Sequence, residues 1–241
     1  MVYSRELDGK TYTFGVSGKL WRDALLMYDH QTRSLWSHIT GEAIQGTLKG
    51  KKLKPLASMP QITWKTWQDN YPDTNVLSVL YRGEMREDIG SDLYERYHTS
   101  QDTGVSGTKY TDKRLPNKSL VIGVQVKDNK GKTHYRAYPL SLFSDTPIIN
   151  DTVDGVPLLI YHDKQTFATA VYNRSLDGKV GKFMTKSGYM AQDLSGREWN
   201  LITGKAKSHK AIDLRLERIP AVNIYWFAWA RYYPDTTIYN R

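Results

Sequence analysis

Residues 64–74 read WKTWQDNYPDT and residues 226–236 read WFAWARYYPDT. The shared skeleton is Trp-x-x-Trp-x-x-x-Tyr-Pro-Asp-Thr, with identical spacing. Indoles at i and i+3 share one face of a helix. The residue before proline is pushed out of α geometry. Each phrase therefore predicts a short helix that stops at Tyr-Pro. Thr63 and Asn223 are the expected N-caps.

The correspondence extends outward from the helices. VYSRELDGK at 2–10 answers VYNRSLDGK at 171–179, with seven of nine positions identical. Ser17-Gly18 answers Ser187-Gly188, ITGEA at 39–43 answers ITGKA at 202–206, and Trp36 answers Trp199. Ordered matches at a slowly drifting offset indicate an internal duplication. The expected layout is a first copy over 1–81, a connection over 82–118 and a second copy over 119–241, the copies packed as one globular body. Leu120–Ala170 has no counterpart ahead of Val2, so the first copy is expected to have lost an N-terminal segment.

The expected fold class is mainly β with a few short helices, a β-rich α+β protein. Asp-Gly recurs at 8–9, 154–155 and 177–178, and supplies the positive φ angles of tight hairpins. Strand-like runs are Val2–Arg5, Thr11–Val16, Leu25–Tyr28, Leu35–His38, Glu42–Leu48, Leu53–Leu56, Val76–Leu80, Leu120–Val126, Thr133–Tyr138 and Val156–Tyr161. A short helix is expected near Asp92–Tyr97. The second Trp helix adds Phe227, Ala228 and Ala230, so it is apolar nearly all round and belongs at the junction of the copies.

Composition bounds the function. The chain has 241 residues, 39% apolar and 12% aromatic, which suffices for a core and argues against disorder. It has no cysteine, so disulfides and thiol chemistry are excluded for these residues. No apolar run approaches the roughly 20 residues of a spanning helix, and no signal peptide is visible. The net charge of +9 favours acidic partners, but the basic residues are spread along the chain. No nucleic-acid-binding motif accompanies them, so nucleic acid is not the expected partner. A Gly-x-Ser-x-Gly elbow and a phosphate loop are both missing.

Several constellations have a chemical reading and a plainer one. Trp64, Trp67, Trp226 and Trp229 suit stacking platforms, or simply core packing. Asp29 and Asp193 precede Trp36 and Trp199 by seven and six residues; they suit metal or acid–base work, or capping of the turns that follow. Asp29, His30, His38 and Glu42 could converge as a zinc or copper site, although no tight histidine pair is present. His162-Asp163 is a weaker candidate. Lys49, Lys51, Lys52 and Lys54, with Lys205, Lys207 and Lys210, form two basic segments. They read as an anion-binding rim for an acidic ligand, or as solvated edges whose lysines discourage strand pairing.

The phrases TFGVSGKLWRDALLMYDHQTRSLWSHITGEAIQG, YRAYPL, NDTVDGVPLLIY and WFAWARYYPDT together resemble the bacterial and archaeal family catalogued as domain of unknown function 3179. The family name assigns no activity. The resemblance implies a Tyr-Cys-Pro-x-Cys-like motif just before the first hairpin, which this sequence lacks. In the second copy that place holds Ile160-Tyr161-His162-Asp163. The resemblance also implies an exported protein. Three functions follow as expectations: a non-catalytic binding or scaffold domain, a metal-dependent enzyme, with redox chemistry as one option, whose thiol ligands are lost upstream, and a polyanion-binding module.

Overall fold

The computed structural model describes residues 1–57, 61–76, 80–81, 84–85, 94–104, 112–207 and 214–240. Strands dominate, joined by short helices, as the turn spacing predicts. The N-terminal part folds β1 (Phe14–Trp21), β2 (Ala24–Asp29), β3 (Leu35–Ser37) and β4 (Ala43–Gln45) into an antiparallel meander in that order. Two helices follow, α1 (Trp64–Asn70) and α2 (Glu95–Thr99).

The longer strands of the C-terminal part are β5 (Leu120–Lys127), β6 (Thr133–Pro139), β7 (Ile148–Val153), β8 (Val156–His162), β9 (Thr169–Asn173), β10 (Phe183–Thr185), β11 (Met190–Asp193), β12 (Glu198–Asn200) and β13 (Ala221–Tyr225), beside a two-residue hairpin of Ser175–Leu176 with Lys179–Val180. Helix α3 (Trp226–Tyr232) and β14 (Thr237–Ile238) complete it. They form three sheets, ordered β13-β5-β6-β14, β7-β8-β9 and β10-β11-β12. Only the β6–β14 contact is parallel among these pairs.

The hairpins form where Asp-Gly predicts them. Asp8 and Gly9 have φ of 50° and 74°, Asp154 and Gly155 47° and 84°, and Asp177 and Gly178 48° and 75°. The run VPLLIY becomes the central strand β8, and its continuous apolar character follows from burial on both faces. Leu158 and Ile160 enter a core with Ile122, Val124 and Tyr138. Leu159 and Tyr161 point the other way, into a core with Tyr172, Phe183 and Trp199. The strand period of two therefore feeds two cores from one strand.

Helices end as predicted. Tyr71 and Tyr233 leave α geometry at the two C-termini, with φ/ψ of −138°/70° and −129°/71°. Thr63 does precede α1, but its hydroxyl meets the Thr66 hydroxyl at 2.9 Å and caps no backbone N–H. The expectation for Asn223 is corrected: it lies within β13, and Tyr225 precedes α3. Strand pairing with β5 persists to Leu120↔Tyr225 and delays the helix. The first free N–H groups of α3 are then taken by carbonyls, Trp226 by Ser119 at 2.8 Å and Phe227 by Asn117 at 2.9 Å. Two of the orphan N–H groups at this helix start are thus met by backbone carbonyls rather than by a side-chain cap.

Helix α3 buries Trp226, Phe227, Trp229, Ala230 and Tyr232. It lies on β5 and β6 and reaches Ile39, Trp21 and Ala24 of the N-terminal part. Gly123 of β5 makes this possible, because a Cβ there would sit 2.3 Å from the Trp229 ring. The Tyr233 hydroxyl donates to Ile39 O at 3.2 Å, while the Tyr71 hydroxyl donates to Ile202 O at 3.4 Å. Each tyrosine that ends a Trp helix thus reaches the other half of the chain. The expected strand Val76–Leu80 lies mostly outside the described residues; Leu80–Tyr81 is a strand.

Candidate functional site

Asp29 ends β2 and is fully buried. It accepts hydrogen bonds from the Thr32 hydroxyl at 2.9 Å and from the Trp36 indole N–H at 2.9 Å. The Thr32 backbone N–H also donates to it. Burial alone would push this carboxyl up. The donors from Trp36 and Thr32 outweigh burial, and its pKa falls below the ordinary carboxylate value. Asp193 repeats the arrangement at the end of β11. The Trp199 indole donates at 2.9 Å, and backbone N–H groups of Ser195 and Arg197 donate at 2.9 and 3.0 Å. Its pKa is likewise lowered against the push of burial. Both carboxylates are turn caps that also anchor a buried indole.

The four residues expected to converge on zinc or copper do different things. Asp29 is committed to its turn. His30 is exposed, its ring 4.9 Å from the Tyr28 ring. His38 is half-buried, and its Nδ1–H donates to Leu25 O at 2.6 Å. Burial lowers its pKa despite that bond. Glu42 is exposed, and its backbone bridges Lys52. Among the described residues, no group of three His, Asp or Glu side chains is placed to hold a metal ion. The sequence proximity of Asp29, His30 and His38 does not become convergence, because Asp29 turns inward and His30 outward.

His162 is buried, its ring between Phe143 and Phe167 at 5.5 and 6.1 Å. Its Nδ1 pairs with the Thr169 hydroxyl at 2.9 Å, which also accepts from the Asn223 amide at 3.1 Å. Burial holds its pKa down. This cluster joins β8, β9 and β13 beneath the surface.

The tryptophans divide. Trp226 and Trp229 are fully buried, whereas Trp64 is 49% exposed and Trp67 half-buried. The basic segments also divide. Lys49, Lys51, Lys52 and Lys54 are exposed, and Lys51 pairs with Asp8 at 2.7 Å. Lys205 and Lys207 line a cleft of about 670 Å³ between the C-terminal end of α1 and the β10-β11-β12 sheet. Lys210 lies outside the described residues.

Asp69 and Asn70 form the α1 side of this cleft, and Lys186, Glu198 and Asn200 the sheet side. Asn200 donates to Asn70 Oδ1 at 2.8 Å, closing one end. Asn200 Oδ1 accepts from the N–H groups of Ile202 and Thr203 at 2.8 and 3.0 Å, so its side chain is held in place. Tyr189 and Met190 add apolar surface, and Ser187 and Thr203 add hydroxyls. Glu198 lies between two lysines: Lys186 pairs with one carboxylate oxygen, and Lys207 Nζ is 3.4 Å from the other. A smaller cleft of about 320 Å³ lies over the β1–β4 sheet, lined by Ser17, Lys19, Tyr28, Arg33 and Gln45. Sequence reasoning found Lys205 and Lys207 but missed Lys186, Glu198 and Asn70. The one signal near them was Ser187-Gly188, read only as part of a repeat.

The class defined by these features is a strand-dominated protein with short Trp-bearing helices and polar clefts over its sheets. Over residues 1–236 the chain matches the family described as protein of unknown function (DUF3179), and it belongs to that family. No curated protein and no solved structure matches it. No helix among the described residues is long and apolar enough to cross a membrane.

Proposed function

We propose that this chain is a non-catalytic binding domain whose ligand sits in the cleft between α1 and the β10-β11-β12 sheet. The observation that carries this reading is the cleft itself. Its volume of about 670 Å³ falls within the usual range of ligand sites, and its lining mixes apolar surface with converging polar groups. The side chains best suited to acid–base chemistry support a binding role, because Asp29 and Asp193 are consumed by hydrogen bonds within the fold and His162 is buried with its Nδ1 on Thr169.

We infer as well that the two halves are copies of one strand-rich unit. The support is the repetition of bonds at matched places. Trp67 and Trp229 each donate to a threonine seven residues on, Thr74 at 2.9 Å and Thr236 at 2.8 Å. Tyr3 and Tyr172 each donate to a carbonyl in the Ile-Thr-Gly region, at 2.6 and 2.8 Å. Gly41 and Gly204 lie against those same two rings. On this reading one scaffold carries two clefts, and the larger is the binding site.

Backbone amide chemical-shift mapping against a library of saccharides, nucleotides and peptides tests the proposal. The expected result is that the hits move Asn70, Asn200 and Thr203 together. Hits that move residues elsewhere and leave these three still would overturn it. Chemical conversion of a bound ligand would overturn the non-catalytic part.

A further inference from the structure

Resting on the binding reading above, we propose that the ligand of this cleft is an acidic oligosaccharide, whose carboxylate or sulfate takes the place of Glu198 between Lys186 and Lys207. Glu198 acts as a resident counter-ion. Its two oxygens are held by two lysines that flank it from neighbouring segments, Lys186 just after β10 and Lys207 on the return from β12. The Lys186 and Lys207 side chains are 45% and 65% exposed, so solvent and ligand both reach them. Ion pairs this exposed contribute little to stability. Exchange of one anion for another there costs the fold little.

The charge around Glu198 favours an incoming anion. Lys186 and Lys207 share the single Glu198 carboxylate, and Asp69 is the other acid on the lining. Asp69 also has Lys65 at 3.3 Å, which offsets its charge. The remaining lining suits a pyranose. Ser187 and Thr203 offer hydroxyls, and the half-buried Tyr189 and Met190 offer an apolar face. A lone inorganic anion would leave most of the volume unfilled. The smaller cleft over β1–β4 carries the same ingredients, Lys19, Arg33, Tyr28 and Ser17, without a lining carboxylate. The Arg33 guanidinium lies 4.3 Å from the Tyr28 ring centroid, which extends that cleft's mixed aromatic and cationic surface.

The test is titration of the whole chain with a defined oligogalacturonate, with a neutral dextrin of equal length as comparator. Binding is read by calorimetry and amide shifts. The acidic sugar is expected to bind and to move Asn200 and Thr203, and the dextrin is not. Lys186→Ala and Lys207→Ala should each weaken binding by about 10-fold, the factor of one charge-assisted hydrogen bond. Glu198→Gln should strengthen it about 3- to 10-fold by removing the competitor. Lys49→Ala with Lys52→Ala should change nothing. Thermal midpoints of all variants check that folding is intact.

Equal binding of the dextrin at the cleft would overturn the acidic class and leave the binding domain standing. Equal weakening by Lys49→Ala with Lys52→Ala would show diffuse attraction to a basic surface and overturn the exchange at Glu198. Weakening by Glu198→Gln would show that Glu198 contacts the ligand directly, and would also overturn it. Failure of both sugars to bind would overturn the saccharide proposal, while the library mapping judges the cleft separately.

Discussion

Helices α1 and α3 share an eleven-residue skeleton and differ in what covers them. Their internal contacts match. In each, the second tryptophan donates to a threonine seven residues on, and its ring lies 4.5 Å from the closing tyrosine. Their environments are opposite. Trp226 is fully buried, its indole donating to Asp112 O at 3.0 Å beneath the Arg114 guanidinium, 5.0 Å from the ring centroid. Tyr135 stacks on Tyr233 at 4.2 Å, and Val121 and Ala137 pack beside them. Trp64 is 49% exposed, at the start of a helix whose only buried residue is Thr66. A repeated phrase carries its own local bonds with it. Burial has to be supplied by other parts of the chain.

The sharpest way to break this comparison is to truncate matched tryptophans. Trp229→Ala should cost about 3–5 kcal/mol, the range for deleting a buried large aromatic. Trp67→Ala should cost clearly less, because its site is only half-buried. Urea or guanidinium unfolding of the two variants measures the gap, and equal losses would contradict the difference in burial.

Gly123→Ala comes next. A methyl 2.3 Å from the Trp229 ring forces α3 off the sheet. The expected cost is about 1–3 kcal/mol, as for other overpacked cores. Gly9→Ala is a useful contrast, because Gly9 has a positive φ but open space around it. Its loss would be backbone strain alone, with no change in tryptophan fluorescence. Gly123→Ala should change that fluorescence.

Asp29→Ala and Asp193→Ala each orphan a buried indole N–H, at a cost of about 1–3 kcal/mol. The pH dependence follows from the same bonds. Both folded pKa values lie below the ordinary carboxylate value. The unfolded chain therefore takes up protons first as pH falls. Stability from these groups is complete above that ordinary value and is lost as pH drops through the folded pKa. His162, also lowered, behaves in the same direction at higher pH. Its contribution is complete above the ordinary histidine value and falls away below it. His38, lowered by burial as well, adds to that same decline. Unfolding curves should show two separate declines on acidification, and His162→Gln should shrink the upper one and leave the lower unchanged.

The smallest effect is expected at the exposed end of the comparison. Trp64→Ala should change stability by no more than about 0.5 kcal/mol. A loss as large as that of Trp226→Ala would mean that Trp64 is covered in solution.

Much of this architecture was legible because it depends on neighbours in sequence. Asp-Gly marks hairpins because both residues tolerate positive φ. Tyr-Pro ends helices by a clash with the preceding backbone. An aspartate a few residues before a tryptophan reads as a turn cap, and at Asp29 and Asp193 it is one. At Asn223 the local capping preference loses to strand pairing with β5, which runs on to Tyr225. At Asp29, His30, His38 and Glu42 closeness along the chain likewise says nothing of which way a side chain turns: Asp29 is buried and His30 exposed.

By itself the sequence determined the strand-rich class, the turns, both Trp helices and their ends, and the family. Each rests on short-range sterics, local hydrogen bonds or matched residues. Only the tertiary structure decided which tryptophans are buried, and which lysines share a cleft. Asn70 and Asn200, 130 residues apart, close that cleft through one hydrogen bond. Contacts at such separation depend on how sheets and helices stack, which no local pattern of residues encodes.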